Sequence, residues 1–75
     1  MTQAMTFFSK GSRGKVYDIV GGRTASKRLF EMGFNKGQEV EVIKNDIGPL
    51  VVGLNGCRIA IGRGMAQKIL LHLDK

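Results

Sequence analysis

The sequence predicts a mainly β fold: a small, strongly bent sheet closed into a barrel of about five short strands, with one short α-helix after the first strand. Three observations lead there. Apolar and polar residues alternate with period two over 38–44, 50–54, 57–61 and 68–73. Helical spacing holds over Ala25, Leu29 and Met32, which share one face. Glycine pairs and Asn55-Gly56 punctuate the chain between these segments. Five strands in 75 residues leave little room for two layers, and closure protects exposed strand edges.

Residues 1–8 are expected to be a partly disordered lead-in, and 9–75 a single domain. Met5 is a candidate for the first ordered residue, with Phe7 or Phe8 against the barrel edge. Lys15 to Val20 is the first strand, with Val16, Ile19 and Val20 as core candidates. Its imperfect alternation predicts a bulge or bend. Thr24 is a reasonable N-cap for a helix from Ala25 to Met32. Gly33 suits the left-handed position that follows, placing Phe34 where its side chain meets Leu29. Lys36-Gly37 predicts a type II turn. Val40 and Val42 then point one way, Glu39 and Glu41 the other. Leu50, Val52 and Leu54 line one face of the third strand. Asn55-Gly56 predicts a type I′ hairpin. Cys57 to Ile61 returns with Ile59 and Ile61 inward and Arg58 outward. Met65 to Gln67 is a single helical turn, and Lys68 to Leu73 the last strand, burying Ile69, Leu71 and Leu73.

Composition bounds the function. The net charge is +6. Within residues 1–30, Lys10, Arg13, Lys15, Arg23, Lys27 and Arg28 stand against Asp18 alone. Such asymmetry fits a basic face for an anionic partner, and equally a solubilising surface. A single cysteine provides no internal disulfide and fits a reducing cytosol. The run Ile69-Leu70-Leu71 is far short of the about 20 apolar residues a membrane helix needs. The N-terminus has neither the charged nor the apolar region of a secretory signal.

Motifs that carry chemistry are few. Gly11-Ser12-Arg13-Gly14-Lys15-Val16 has two residues between its glycines where a phosphate loop needs four, and Val16 stands in the Ser/Thr position. Gly62-Arg63-Gly64 lacks the third glycine of a dinucleotide fingerprint. A tetrahedral metal site needs three or four ligands. Cys57 reads as a small apolar filler and His72, between Leu71 and Leu73, as facing solvent. We therefore expect no metal site, no cofactor, no catalytic residue and no enzyme activity. A basic barrel that binds nucleic acid is the competing class. It needs aromatic stacking platforms, and Tyr17 is the one aromatic in a strand, so nucleic acid is not the expected partner.

The pattern Leu29-x-x-Met32-Gly33-Phe34-x-x-Gly37-x-x-Val40-x-Val42 resembles the signature of the ferrous iron transport protein A (FeoA) family. So do Gly14-x-Val16, Gly21-Gly22, Gly56-x-Arg58-Ile59-Ala60-Ile61 and Ala66-x-x-Ile69, so that the resemblance runs from Phe7 to Leu73. Lys36 departs from the family's usual proline, and Gly48-Pro49-Leu50 shortens a longer family loop. The resemblance implies an SH3-like barrel in the cytoplasm. It further implies a regulatory or assembly partner of the ferrous iron transporter FeoB. Contact would be protein–protein, with the membrane reached only through that partner and the oligomeric state left open. The flank of the helix and the loops at 45–49 and 62–65 are then the expected surfaces. Lys27, Arg28, Met32, Arg58 and Arg63 are the expected partner-binding residues; the helical spacing of Met32 with Leu29 favours core for it, and Arg58 and Arg63 are the better candidates because arginines are enriched at binding hot spots. The same unit is similar to the C-terminal domain of iron- and manganese-dependent repressors.

Overall fold

The computed structural model describes residues 1–73. Six strands form one antiparallel sheet: β1 (Thr2–Ala4), β2 (Arg13–Ile19), β3 (Glu39–Lys44), β4 (Leu50–Leu54), β5 (Cys57–Ile61) and β6 (Ile69–Leu73). The spatial order is β1-β6-β2-β3-β4-β5, so a meander of β2 to β5 is flanked by strands from both chain ends. Helix α1 (Arg23–Met32) follows β2, and a single helical turn, α2 (Arg63–Ala66), links β5 to β6. The expected strands are all present, and the sixth, β1, falls in the segment expected to be loose. Thr2, Gln3 and Ala4 pair with His72, Leu71 and Leu70. A 3-10 turn (Met5–Phe7) then drops Met5 fully into the core. Residues 1–8 are thus part of the sheet and its core. Phe8 is the aromatic that packs inward, while Phe7 stays 76% exposed.

Inward-facing residues from every strand except β1 fill one core, including Val16, Val40, Val42, Leu50, Val52, Leu54, Ile61, Ile69 and Leu71. Burial of each such side chain contributes about 1.5–3 kcal/mol. The sheet bends at two bulges. β2 holds Tyr17 as an extra residue opposite the Leu71–Leu70 step of β6, and β3 holds Ile43 opposite Val52–Val51. The predicted irregularity of the first strand is the Tyr17 bulge. It tips Val20, expected in the core, out to the surface. Leu73 is also partly exposed, at the end of its strand. Among the described residues no ladder joins β1 to β5. The strands do not make a full ring, and the seam between the two edges is bridged by the 3-10 turn and α2, which pack on each other.

Helix α1 begins two residues earlier than the sequence predicts. Gly22, in extended conformation, is its N-cap, and Thr24 lies in its first turn. Its C-terminus is as expected. Gly33 is left-handed (φ 110°). The amide of Phe34 donates to the Leu29 carbonyl at 3.0 Å, and that of Gly33 to the Phe30 carbonyl at 3.0 Å. This is the Schellman pairing, and it brings Leu29 and Phe34, both fully buried, under the helix end. Gly33 also sits tightly: an added Cβ would lie 3.1 Å from Asn55 Nδ2 and 3.2 Å from Leu54 Cδ2. Gly33→Ala is therefore expected to lower stability by about 1–2 kcal/mol, read as a fall in the thermal midpoint. The hairpin at Asn55 (φ 54°) and Gly56 (φ 78°) carries the positive φ pair of a type I′ turn.

Candidate functional site: a charged groove beside the helix end

Strand pairing builds a row across the outer face of the sheet. Arg13 on β2 faces Glu41 on β3, Glu41 faces Gly53 on β4, and Gly53 faces Arg58 on β5. Val40, Val42, Val52 and Leu54, which flank the row on β3 and β4, are core, so the row is outward by alternation. Gly53 has no side chain, and the row dips there. The result is an open groove of about 650 Å³, with Arg13, Arg58 and Lys10 on its walls together with Glu39 and Glu41. Ile43 leans over the floor, within 3.5 Å of where a Gly53 Cβ would stand. Arg13 Nη2 lies 3.9 Å from Glu41 Oε1 in a solvent-exposed pair, which contributes little to stability. Among the described residues Arg58 has no ion-pair or hydrogen-bonded side-chain partner, so its charge is available.

The groove and helix α1 share a border. Leu54 and Asn55 line the groove and also touch Gly33 at the helix end. Arg28 and Met32, four residues apart, occupy one flank of α1, and Lys27 and Phe30, three apart, another. All four are exposed; Met32 is at 37% and Phe30 at 50%. Met32 is not core despite its spacing from Leu29, because Leu29 is the one residue of this short helix that is fully buried. Lys27, Arg28 and Met32 thus lie on two flanks of α1, and Arg58 lies on β5 beyond the Asn55-Gly56 turn.

Arg63 stands apart from these four. It is half-buried in α2, where its Nη2 donates to Asn45 Oδ1 at 2.9 Å and to the Asp46 carbonyl. Asn45 Nδ2 in turn donates to the carbonyls of Thr6 (3.0 Å) and Phe8 (2.7 Å). Arg63 and Asn45 thus form a polar clasp over the sheet seam. Sequence reasoning did not single out Asn45, Glu41 or Gly53 as site residues, and it named Lys10 and Arg13 only within the basic face of residues 1–30. Alternation pointed Glu41 outward, but only the strand register reveals that Arg13 and Arg58 share its row.

Cys57 departs from its reading as an apolar filler. It opens the edge strand β5, has no further strand beside it and is exposed. His72 faces outward on β6 as expected, with Nδ1 3.3 Å from Thr2 Oγ1. Three strands separate it from β5. Among the described residues no three His, Cys, Asp or Glu side chains cluster in a way that could hold a metal ion. No helix among them is long and apolar enough to cross a membrane.

A bent antiparallel sheet with a charged groove and a short covering helix defines a small SH3-like domain. Comparison with known proteins then gives the family: the FeoA domain model matches residues 4–73, and the chain belongs to the FeoA family. It is 40% identical over 68 residues, 91% of this chain and 83% of the other, to a protein of Methanocaldococcus jannaschii named "Putative Fe(2+) transport protein A". Among solved structures, a crystal structure of an "Iron Uptake Regulatory Protein (FeoA)" superposes with a TM-score of 0.92 at 30% identity, covering 99% of both chains. A manganese-dependent transcriptional repressor in complex with manganese superposes with a TM-score of 0.90 at 16% identity. That match covers 97% of this chain but 37% of the repressor, and at that identity it shows the shared fold alone.

Proposed function

We propose that this protein is a cytoplasmic accessory protein of ferrous iron uptake that binds the cytosolic part of the transporter FeoB and regulates or assembles it by contact. Family membership supports the assignment to iron transport. The observation that supports the contact reading is that Gly33, next to the exposed Met32 at the end of α1, lies against Leu54 and Asn55 of the groove, on whose wall Arg58 stands. An apolar anchor beside two arginines is the composition of a binding hot spot. Lys27 adds charge at the margin, where it speeds encounter more than it adds affinity. Arg63 has a positioning role, holding the 45–49 loop through its bonds to Asn45 and Asp46. Nothing in this surface requires catalysis or a bound cofactor.

The test is a chemical-shift titration of labelled protein with the cytosolic part of its host's transporter, at physiological salt. Saturable shifts at Arg28, Met32, Asn55 and Arg58 are expected. Arg58→Glu is expected to weaken binding at least about tenfold, about 1.4 kcal/mol, with stability changed by no more than about 0.5 kcal/mol. A mixed-sequence oligonucleotide titrated in parallel should produce weak shifts that vanish as salt rises. No shift with the transporter fragment, or tighter binding to the oligonucleotide, overturns the proposal.

A further inference from the structure

The clasp holds two large apolar side chains out in solvent on adjoining loops. Phe7 is 76% exposed and Ile47 is 89% exposed. Their positions are fixed. Asn45 bonds the carbonyls of Thr6 and Phe8, the residues on either side of Phe7. Ile47 lies two residues beyond Asn45, and its amide donates to Asp46 Oδ1 at 2.7 Å. Arg63 binds Asn45 and the Asp46 carbonyl, which ties the backbone on either side of Phe7 and just before Ile47 into one clasp.

The charges around the pair are cationic. Lys44 immediately precedes Asn45. Lys10 precedes Gly11, whose amide donates to the Val42 carbonyl at 2.7 Å, which places Lys10 beside the end of β3. Asp46 is the acid within this group, and its carboxylate is engaged locally by the Ile47 amide and, at 4.0 Å, by Lys44 Nζ. Two apolar tips with Lys10 and Lys44 on the adjoining chain segments make a surface whose apolar part enters the acyl boundary while its cations meet lipid phosphates. The long lysine stems let the charges stay at headgroup level.

We infer that Phe7 and Ile47, with Lys10 and Lys44, form a contact site for an anionic lipid bilayer that meets the groove at Lys10 and lies apart from Arg58 and α1. This contact is direct and does not depend on a transporter partner. It replaces the expectation that the protein meets the membrane only through that partner. The site is small, so its binding is reversible and sensitive to both salt and lipid composition.

The experiment is co-sedimentation of the whole protein with vesicles of phosphatidylcholine alone or enriched in phosphatidylglycerol. Binding to the phosphatidylglycerol vesicles is expected, falling as salt is raised. The double variant Phe7→Ser/Ile47→Ser is expected to lower partitioning at least about tenfold, and each of Lys10→Glu and Lys44→Glu at least about fivefold. Phe30→Ser, at an exposed aromatic of α1, is expected to bind as the parent does. Thermal melts of all variants confirm that the fold survives, since every altered side chain is exposed. Absence of binding to anionic vesicles, equal binding to neutral ones, or unchanged partitioning of the double variant overturns the inference. So does a concentration-dependent dimer in sedimentation equilibrium that the double variant abolishes, because a second copy would then cover the tips. Loss of transporter binding by Arg58→Glu leaves the vesicle result unchanged, so the two proposals fail separately.

Discussion

Phe34→Ala is expected to remove most of the stability of this domain. Phe34 is fully buried and is among the largest buried side chains of the core. Its amide also completes the helix C-cap through the Leu29 carbonyl. Truncating a buried phenylalanine costs about 3–5 kcal/mol, through lost burial and the cavity that remains. A single core in a chain this short supplies a margin of about the same size. In a domain of this length 1 kcal/mol moves the midpoint by about 4–8 °C, so a fall of about 12–40 °C, or loss of the cooperative transition, should appear in a thermal melt. Phe30→Ala, four positions earlier and within α1 itself but half-exposed, should cost less than about 1 kcal/mol. Equal effects at the two positions would mean that α1 is not anchored as described.

The second large effect is expected at Asn45→Ala. Asn45 donates to the Thr6 and Phe8 carbonyls and accepts from the Arg63 guanidinium. Neutral hydrogen bonds contribute about 0.5–1.5 kcal/mol each and one to a charged group about 1.5–3 kcal/mol, with strong overlap within one network. A net loss of about 2–4 kcal/mol is expected. Its location is as informative as its size. Amides of β1 that pair with β6 should exchange with solvent faster in the variant, while those between β3 and β4 should keep their relative protection. A midpoint within 2 °C of the parent (about 0.5 kcal/mol or less) would show that the clasp contributes little to holding the seam.

These two residues also mark what the sequence could and could not convey. The role of Phe34 was legible because a helix C-cap is local: Leu29, Gly33 and Phe34 lie within six positions, and glycine at the left-handed site identifies the register. The Asn55-Gly56 turn and the β2 irregularity were legible for the same reason. Asn45 was not, because its bonds reach 39 and 37 residues back to backbone carbonyls, which carry no side-chain signature. Arg63 was legible as an arginine near a loop, but its commitment to Asn45 was not. Strand β1 was missed because Thr2-Gln3-Ala4 has neither alternation nor β-branched density; pairing with β6 alone makes it a strand. The candidate surface was half legible. Helical spacing placed Lys27 and Arg28 away from the buried face of α1 but put Met32 on it, whereas the groove exists only once the register aligns Arg13, Glu41, Gly53 and Arg58.

The pairing of β1 with β6 has a consequence in time. It joins Thr2 to His72, so the strand made first during synthesis has its partner made last. At about 5–20 residues per second, the interval between them is several seconds. Throughout that interval the β3-β4-β5 meander can form from neighbouring residues, while Met5 has no completed core to enter. Topologies rich in such distant pairings fold on a scale of milliseconds to seconds. The opening strand is therefore expected to dock late, after the meander, and the nascent chain carries an unplaced apolar N-terminal segment until β6 arrives.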